Sequence, residues 1–240
     1  MSRRLRTAGL ALMAFGLVLV LAAGWSYLKV NQGYKSFGAI SSEQNVALSY
    51  NEDGQLTDRG TTEGAQAIMT LLTEDWKYPV VDGDFDPNDP VVNTASEYMF
   101  QMATITYHIL HGTQTVVLTA DAEYQGEFFP AGTYEVPVDG RYWNDFDRSH
   151  PLQGPARSQA WSGTAHGLTA ELGVGAVTHN MLQMGLGISA AVALIGFMGL
   201  LSGASLVWAS KADMMGDVLR KVELERPLDD TISKKDLVEA

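Results

Sequence analysis

Two stretches of this sequence contain no charged residue and are mostly apolar. They limit what the chain can become more than any other feature. The first, Thr7 to Leu28, has 22 residues. The second lies between Glu171 and Lys211, with its dense part from Met181 to Ser210. A helix rises about 1.5 Å per residue, so roughly 20 residues cross the hydrocarbon core of a bilayer. Backbone polar groups find no water there and must bond within the segment, so both stretches are expected to be transmembrane α-helices.

The flanks orient them. Arg3, Arg4 and Arg6 precede the first stretch, and Lys211, Arg220 and Lys221 follow the second. Only Lys29 and Lys35 sit on the far side of the first. Trp25, Tyr27 and Trp208 stand at segment ends, where aromatic rings favour the headgroup layer. The bias of basic residues places both termini in the cytoplasm and the intervening segment outside. The expected order is a cytoplasmic N-terminus (1–6), a first span (7–28), an extracytoplasmic region (29–180), a second span (181–210) and a cytoplasmic tail (211–240). The alternative for the first stretch is a cleaved signal peptide, but its apolar run exceeds the usual ~7–15 residues and lacks a clear A-x-A site. Gly199 and Gly203 form a G-x-x-x-G spacing that lets helices approach closely, a candidate contact for a membrane-protein partner or a second copy. Glycine is also simply common in membrane helices.

The charge is uneven. The chain of 240 residues has a net charge of -12, and residues 31–182 alone hold six basic and 20 acidic groups. A nucleic-acid binder needs a basic face, so that class is excluded. With no cysteine, disulfides, thiolate metal sites, a cysteine nucleophile and a lipoprotein anchor are excluded too.

The region between the apolar stretches reads as α+β. Thr61 or Thr62 can cap a helix from Glu63 to Thr73. Thr94 and Glu97 form a T-x-x-E capping box for a helix from Ala95 to His111. Its expected apolar face is Ala95, Met99, Met102, Ile105 and Ile109, with Tyr98 beside them, and the opposite, polar arc is Glu97, Gln101, Thr104, His108 and His111, with Phe100 and Tyr107 falling beside His111. Gln114 to Thr119 is β-rich. Ala122–Phe129 and Thr133–Val138, on either side of Pro130-Ala131-Gly132, read as a hairpin.

The plan, with Asp89-Pro90-Val91-Val92-Asn93-Thr94-Ala95-Ser96 outside and the Gly-rich closing helix from Gly185 to Trp208, resembles a group of actinobacterial two-pass membrane proteins of unknown function. Some of these carry the label "aromatic ring-opening dioxygenase". Chemistry of the extradiol type implies Fe(II) held by two His and a carboxylate. His108 and His111 share a helix side, but a third ligand, His150 or His166, must come from elsewhere. Imidazolium at a helix C-terminus is favourable in itself, so the pair is equally a surface or capping feature, and the dioxygenase reading is not adopted.

Asp82, Asp84 and Asp86 alternate as in a calcium loop. Counted as an EF-hand, however, the position that needs Gly is Pro87 and the position that needs Glu is Asn93. Either an irregular Ca²⁺ site or a solvated acidic turn fits. Tyr142 to His150 interleaves aromatics with Asp, Arg and His, either as a sugar or peptide pocket or as a packed loop with an Asp147–Arg148 pair. Trp161 to Gly167 holds Ser and His without a G-x-S-x-G turn. No catalytic residue and no resident cofactor is assigned. The fold expected is two transmembrane α-helices flanking a small extracytoplasmic α+β domain, in a plasma-membrane protein with the lipid bilayer as its first partner. The function expected is a structural or interaction component, ahead of a metal-binding accessory subunit (Ca or a transition metal) and of an enzyme.

Overall fold

The computed structural model describes residues 2–224, so the end of the expected cytoplasmic tail, 225–240, lies outside the described residues. The described residues divide into two compact units, one holding 2–29 and 185–224, the other 30–184.

The first unit holds parts of two long helices, α1 (Ser2–Gln44) and α5 (Gly163–Leu224). Both are long and apolar enough to cross a membrane, with mean hydropathy 2.2 and 2.1 in their most apolar windows. A helix in the core of a soluble protein hides such side chains. Here Phe15 is 60% and Leu201 69% exposed. Two candidate membrane spans, with a small α/β region between them in sequence, are therefore present.

Within this unit the helices run antiparallel along a seam of small residues. Gly9, Gly16 and Ala23 of α1 are buried, as are Ser189, Gly196, Gly203 and Ser210 of α5. Both sets recur every seven residues, the period that keeps one helix face on its neighbour. The approach is close enough to exclude any side chain. A Cβ on Gly16 would lie 2.6 Å from the Gly196 carbonyl oxygen, and one on Gly203 would lie 2.5 Å from that of Gly9. The Ser189 and Ser26 hydroxyl oxygens sit 2.8 Å apart. Gly199 and Gly203, the candidate oligomer contact, thus face the chain's own α1: a Cβ on Gly199 would meet Gly16 Cα at 3.2 Å.

The second unit is built round α3 (Ala95–Leu110). The capping box forms as expected, with the Glu97 amide donating to Thr94 Oγ1 and the Thr94 amide to Glu97 Oε2. Thr61 caps α2 (Thr62–Thr70), its Oγ1 accepting from the Gly64 amide. This helix ends short of Thr73, in a π-helical turn over Leu71–Asp75. The Asp-Pro-Val-Val stretch is pinned by pairing with the segment after α1: the Leu48 amide donates to Pro90 O and the Val92 amide to Val46 O, both at 2.8 Å.

The expected face of α3 is rotated. Ala95 is buried as expected, with Tyr98 near it, but the deeply buried stripe continues through Ser96, Phe100, Ala103, Thr106 and Leu110, while Met99, Met102, Ile105 and Ile109 are half-buried. Glu97, expected on the polar arc, is 1% exposed. Elements cover α3 on several sides, so hydrophobicity alone could not mark its deepest face.

The strand pairing differs as well. Strand β1 (Ser49–Tyr50) pairs with β2 (Leu56–Thr57). Strand β3 (Thr113–Leu118) pairs antiparallel with β6 (Gly132–Pro137), Thr113 opposite Pro137 and Leu118 opposite Gly132. The segment between them folds on itself as β4 (Ala122–Tyr124) and β5 (Glu127–Phe129). The expected hairpin across Pro130 is therefore replaced by one across Gln125-Gly126. These two residues have φ of 51° and 84°, the positive pair that a tight two-residue hairpin turn requires. Helix α4 (Gln153–Ala160) completes the unit.

Candidate functional site

Tyr98 carries the local geometry of the second unit. Ser41 Oγ donates to the Phe37 carbonyl (3.0 Å), so the Tyr98 hydroxyl, 2.9 Å away, donates to Ser41. The ring lies over Gly175 of α5, where a Cβ would fall 2.5 Å from it. It also tilts against Phe37 at 5.6 Å between centroids. A residue from α3 is thus wedged between α1 and α5, and glycine at 175 is what admits it.

Cavities lie beside the wedge. One of 470 Å³ is walled by Val46, Val92, Ile105, Leu168 and Leu172. A second of 290 Å³ reaches Gly33, Phe37, Ile40, Val174 and Thr178. Gln44, Tyr98 and Glu171 line both. The Gln44 side-chain amide donates to Glu171 Oε1 at 2.5 Å, so an amide–carboxylate clip stands where the two meet.

The predicted metal candidates are placed apart in role. His108 Nε2 lies 2.9 Å from Asp58 Oδ1, in the turn before α2. His111 Nδ1 donates to the Tyr107 carbonyl at 2.9 Å and its ring rests on Tyr107. Asp82 and Asp84 bound a 3₁₀ turn. Asp86 Oδ1 accepts from the Asn88 amide and side chain. Among the described residues no group of three or more His, Asp or Glu is close enough to hold a metal ion.

The remaining histidines are structural partners too. His150 Nδ1 accepts from the Leu152 amide at the start of α4 (3.1 Å). His166 packs on Trp143 and Trp161. His179, 8% exposed, accepts from the Ala95 amide at 3.2 Å. The aromatic stretch from Tyr142 is packed: the Arg157 guanidinium lies 3.2 Å above the Trp143 ring, and that of Arg141 lies over Phe146. Asp147 bonds the Tyr124 hydroxyl rather than Arg148; that bond holds its carboxyl below the ordinary range.

Burial shifts the acidity of Glu97 and Tyr50 among others. Burial pushes the Glu97 carboxyl up, against the lowering effect of hydrogen bonds from Asn93 and Thr94. Tyr50 is pushed up to about 12, first by burial and then by the charges of Glu97, Asp86 and Asp89. Its hydroxyl is buried and has no hydrogen-bond partner among the described residues. Sequence reading missed the Tyr98 wedge, the His179–Ala95 bond and the cavities. The signals were an unremarkable Ser, His and Gly, which only the fold brings together. No family model matches the chain, and no curated protein or solved structure matches it either.

Proposed function

We propose that the chain is a two-pass plasma-membrane protein with both termini in the cytoplasm and residues 29–180 outside, and that it serves as a structural or interaction component of a membrane complex. The observation that carries this reading is the pair of long apolar helices whose large side chains remain exposed. That surface is stable in lipid and not in water. The basic residues beside the first apolar stretch and after the second support the orientation. The outer segment's polar side chains support a scaffolding role. Its histidines serve helix ends, ring stacks and a hydrogen bond with the Asp58 carboxylate.

The test uses the absence of cysteine. In intact cells a membrane-impermeant maleimide should label an Asn51→Cys chain and spare a Ser2→Cys chain until the membrane is opened. Mild detergent extracts should carry the protein in an assembly larger than one chain plus its detergent. Labelling at position 2 in intact cells, or a mature chain beginning near Trp25, overturns the topology. A lone monomer in every mild extract overturns the component role.

A further inference from the structure

We propose that the twin cavity bounded by α1, α3 and α5 takes up the apolar chain of a membrane lipid whose headgroup offers hydrogen-bond donors and carries no net negative charge. At 470 and 290 Å³ the cavities match the scale of small-ligand sites, about 300–1,000 Å³. Their walls are aliphatic, from Val46, Ile105 and Leu172 on one side of the clip to Ile40 and Val174 on the other. An apolar wall with a few convergent polar groups is the pattern of a site for a largely apolar ligand.

The polar groups decide the headgroup. The Tyr98 hydroxyl spends its one hydrogen on a hydrogen bond to Ser41. Gln101 lines only the larger cavity, Ser36 and Thr178 only the smaller, and these three side chains are uncharged. Glu171 is the sole charged residue lining either cavity among the described residues, and one of its oxygens is held by Gln44. The other oxygen is an acceptor that suits an ammonium or a hydroxyl and repels a carboxylate or a phosphate monoester. The bilayer is the source. Gly33 follows Leu28 by five residues and Thr178 precedes Met181 by three, so the smaller cavity is lined next in sequence to the ends of both apolar stretches. This last step rests on the membrane reading above.

The test places the full chain in nanodiscs of phosphatidylcholine doped with photoactivatable probes. The probes share one saturated chain and end in an amine, a hydroxyl or a carboxylate. Labelled peptides are then mapped by mass spectrometry. The amine and hydroxyl probes should label peptides carrying Ile105 and Leu172 at least about tenfold more than the carboxylate probe. Glu171→Gln should bring the carboxylate probe within about threefold of the other two. Leu172→Trp, which narrows the larger cavity, should lower labelling there by all three and leave labelling of the apolar stretches unchanged. Equal cavity labelling by the three probes, indifferent to Glu171→Gln, overturns the proposal. So does labelling confined to the apolar stretches. Failure of any probe to label those stretches overturns the membrane reading and the proposal together.

Discussion

The imidazole of His179 accepts a hydrogen bond from the backbone amide of Ala95, the first residue of α3, at 3.2 Å. A helix leaves its first amides without partners, and here a side chain 84 positions along the chain supplies one. The ring is held by Tyr34 on one side and Phe37 on another, at 6.0 and 6.1 Å. Leucine at 179 keeps the bulk and removes the acceptor. His179→Leu should therefore cost about 1–3 kcal/mol, the usual penalty for a buried donor left unpaired. His111→Ala, at an exposed ring, should stay within about 0.5 kcal/mol. Thermal melts of the full chain in detergent distinguish the two, and equal melting would deny the amide bond any weight.

The helix seam makes a matched pair of substitutions informative. A Cβ on Gly16 would sit 2.6 Å from a backbone oxygen, whereas one on Gly24 meets nothing within 4 Å among the described residues. Gly16→Val should destabilise by about 1–3 kcal/mol through overpacking, and Gly24→Val should be tolerated. Yield and melting temperature after extraction report the difference. Similar losses from both would mean that the seam does not hold the helices.

Glu97 predicts a pH dependence of definite sign. Its folded value lies above the ordinary 4.5. Such a carboxyl adds stability in its protonated form, in full below the unfolded value, and loses it as pH rises through the folded value. Glu97→Gln keeps a side chain that serves the capping box and cannot ionise. The melting temperature of the variant relative to the native chain should therefore rise as pH climbs above the ordinary 4.5 and level off once the folded value is passed. Parallel curves would show that Glu97 ionises in the fold without cost.

Tyr50 works at the other end of the scale. Its phenol is pushed up to about 12, so its contribution is intact below 10.0, the ordinary value, and is lost as pH climbs through 12. Tyr50→Phe removes a hydroxyl with no partner among the described residues. It should leave neutral-pH stability unchanged or raise it by up to about 1 kcal/mol, and it should flatten the loss on the alkaline limb. A drop at neutral pH would reveal a hydrogen bond to that hydroxyl.

What could be read in advance was local. The Thr94–Glu97 box and the Thr61 cap depend on residues three apart, and both formed. The apolar helices depend on composition over a single run of chain. Partner choice was not legible in the same way. Strand β6 could pair across Pro130 or reach back to β3, and the outcome turned on Gln125-Gly126 closing a hairpin of its own. Likewise, α3 is enclosed on several sides, and no single-face pattern could show that Glu97 lies inside. The cavity depends on Gln44 and Glu171, 127 residues apart, and neither residue announces a pocket. The seven-residue register of Gly9, Gly16 and Ala23 was open to inspection but was masked by the shorter G-x-x-x-G spacing.

The glycine seam also has a history within each molecule. Gly9 and Gly203 are separated by 194 positions, which at roughly 5–20 residues per second of synthesis means about 10–40 s between the making of one and of the other. Throughout that interval the first helix presents a bare backbone stripe with no mate, open to any other helix with a small-residue face. Quality control of this protein should therefore act on nascent chains arrested before residue 196. A helper that shields α1 during that wait would raise the yield of correctly paired chains without touching the finished structure.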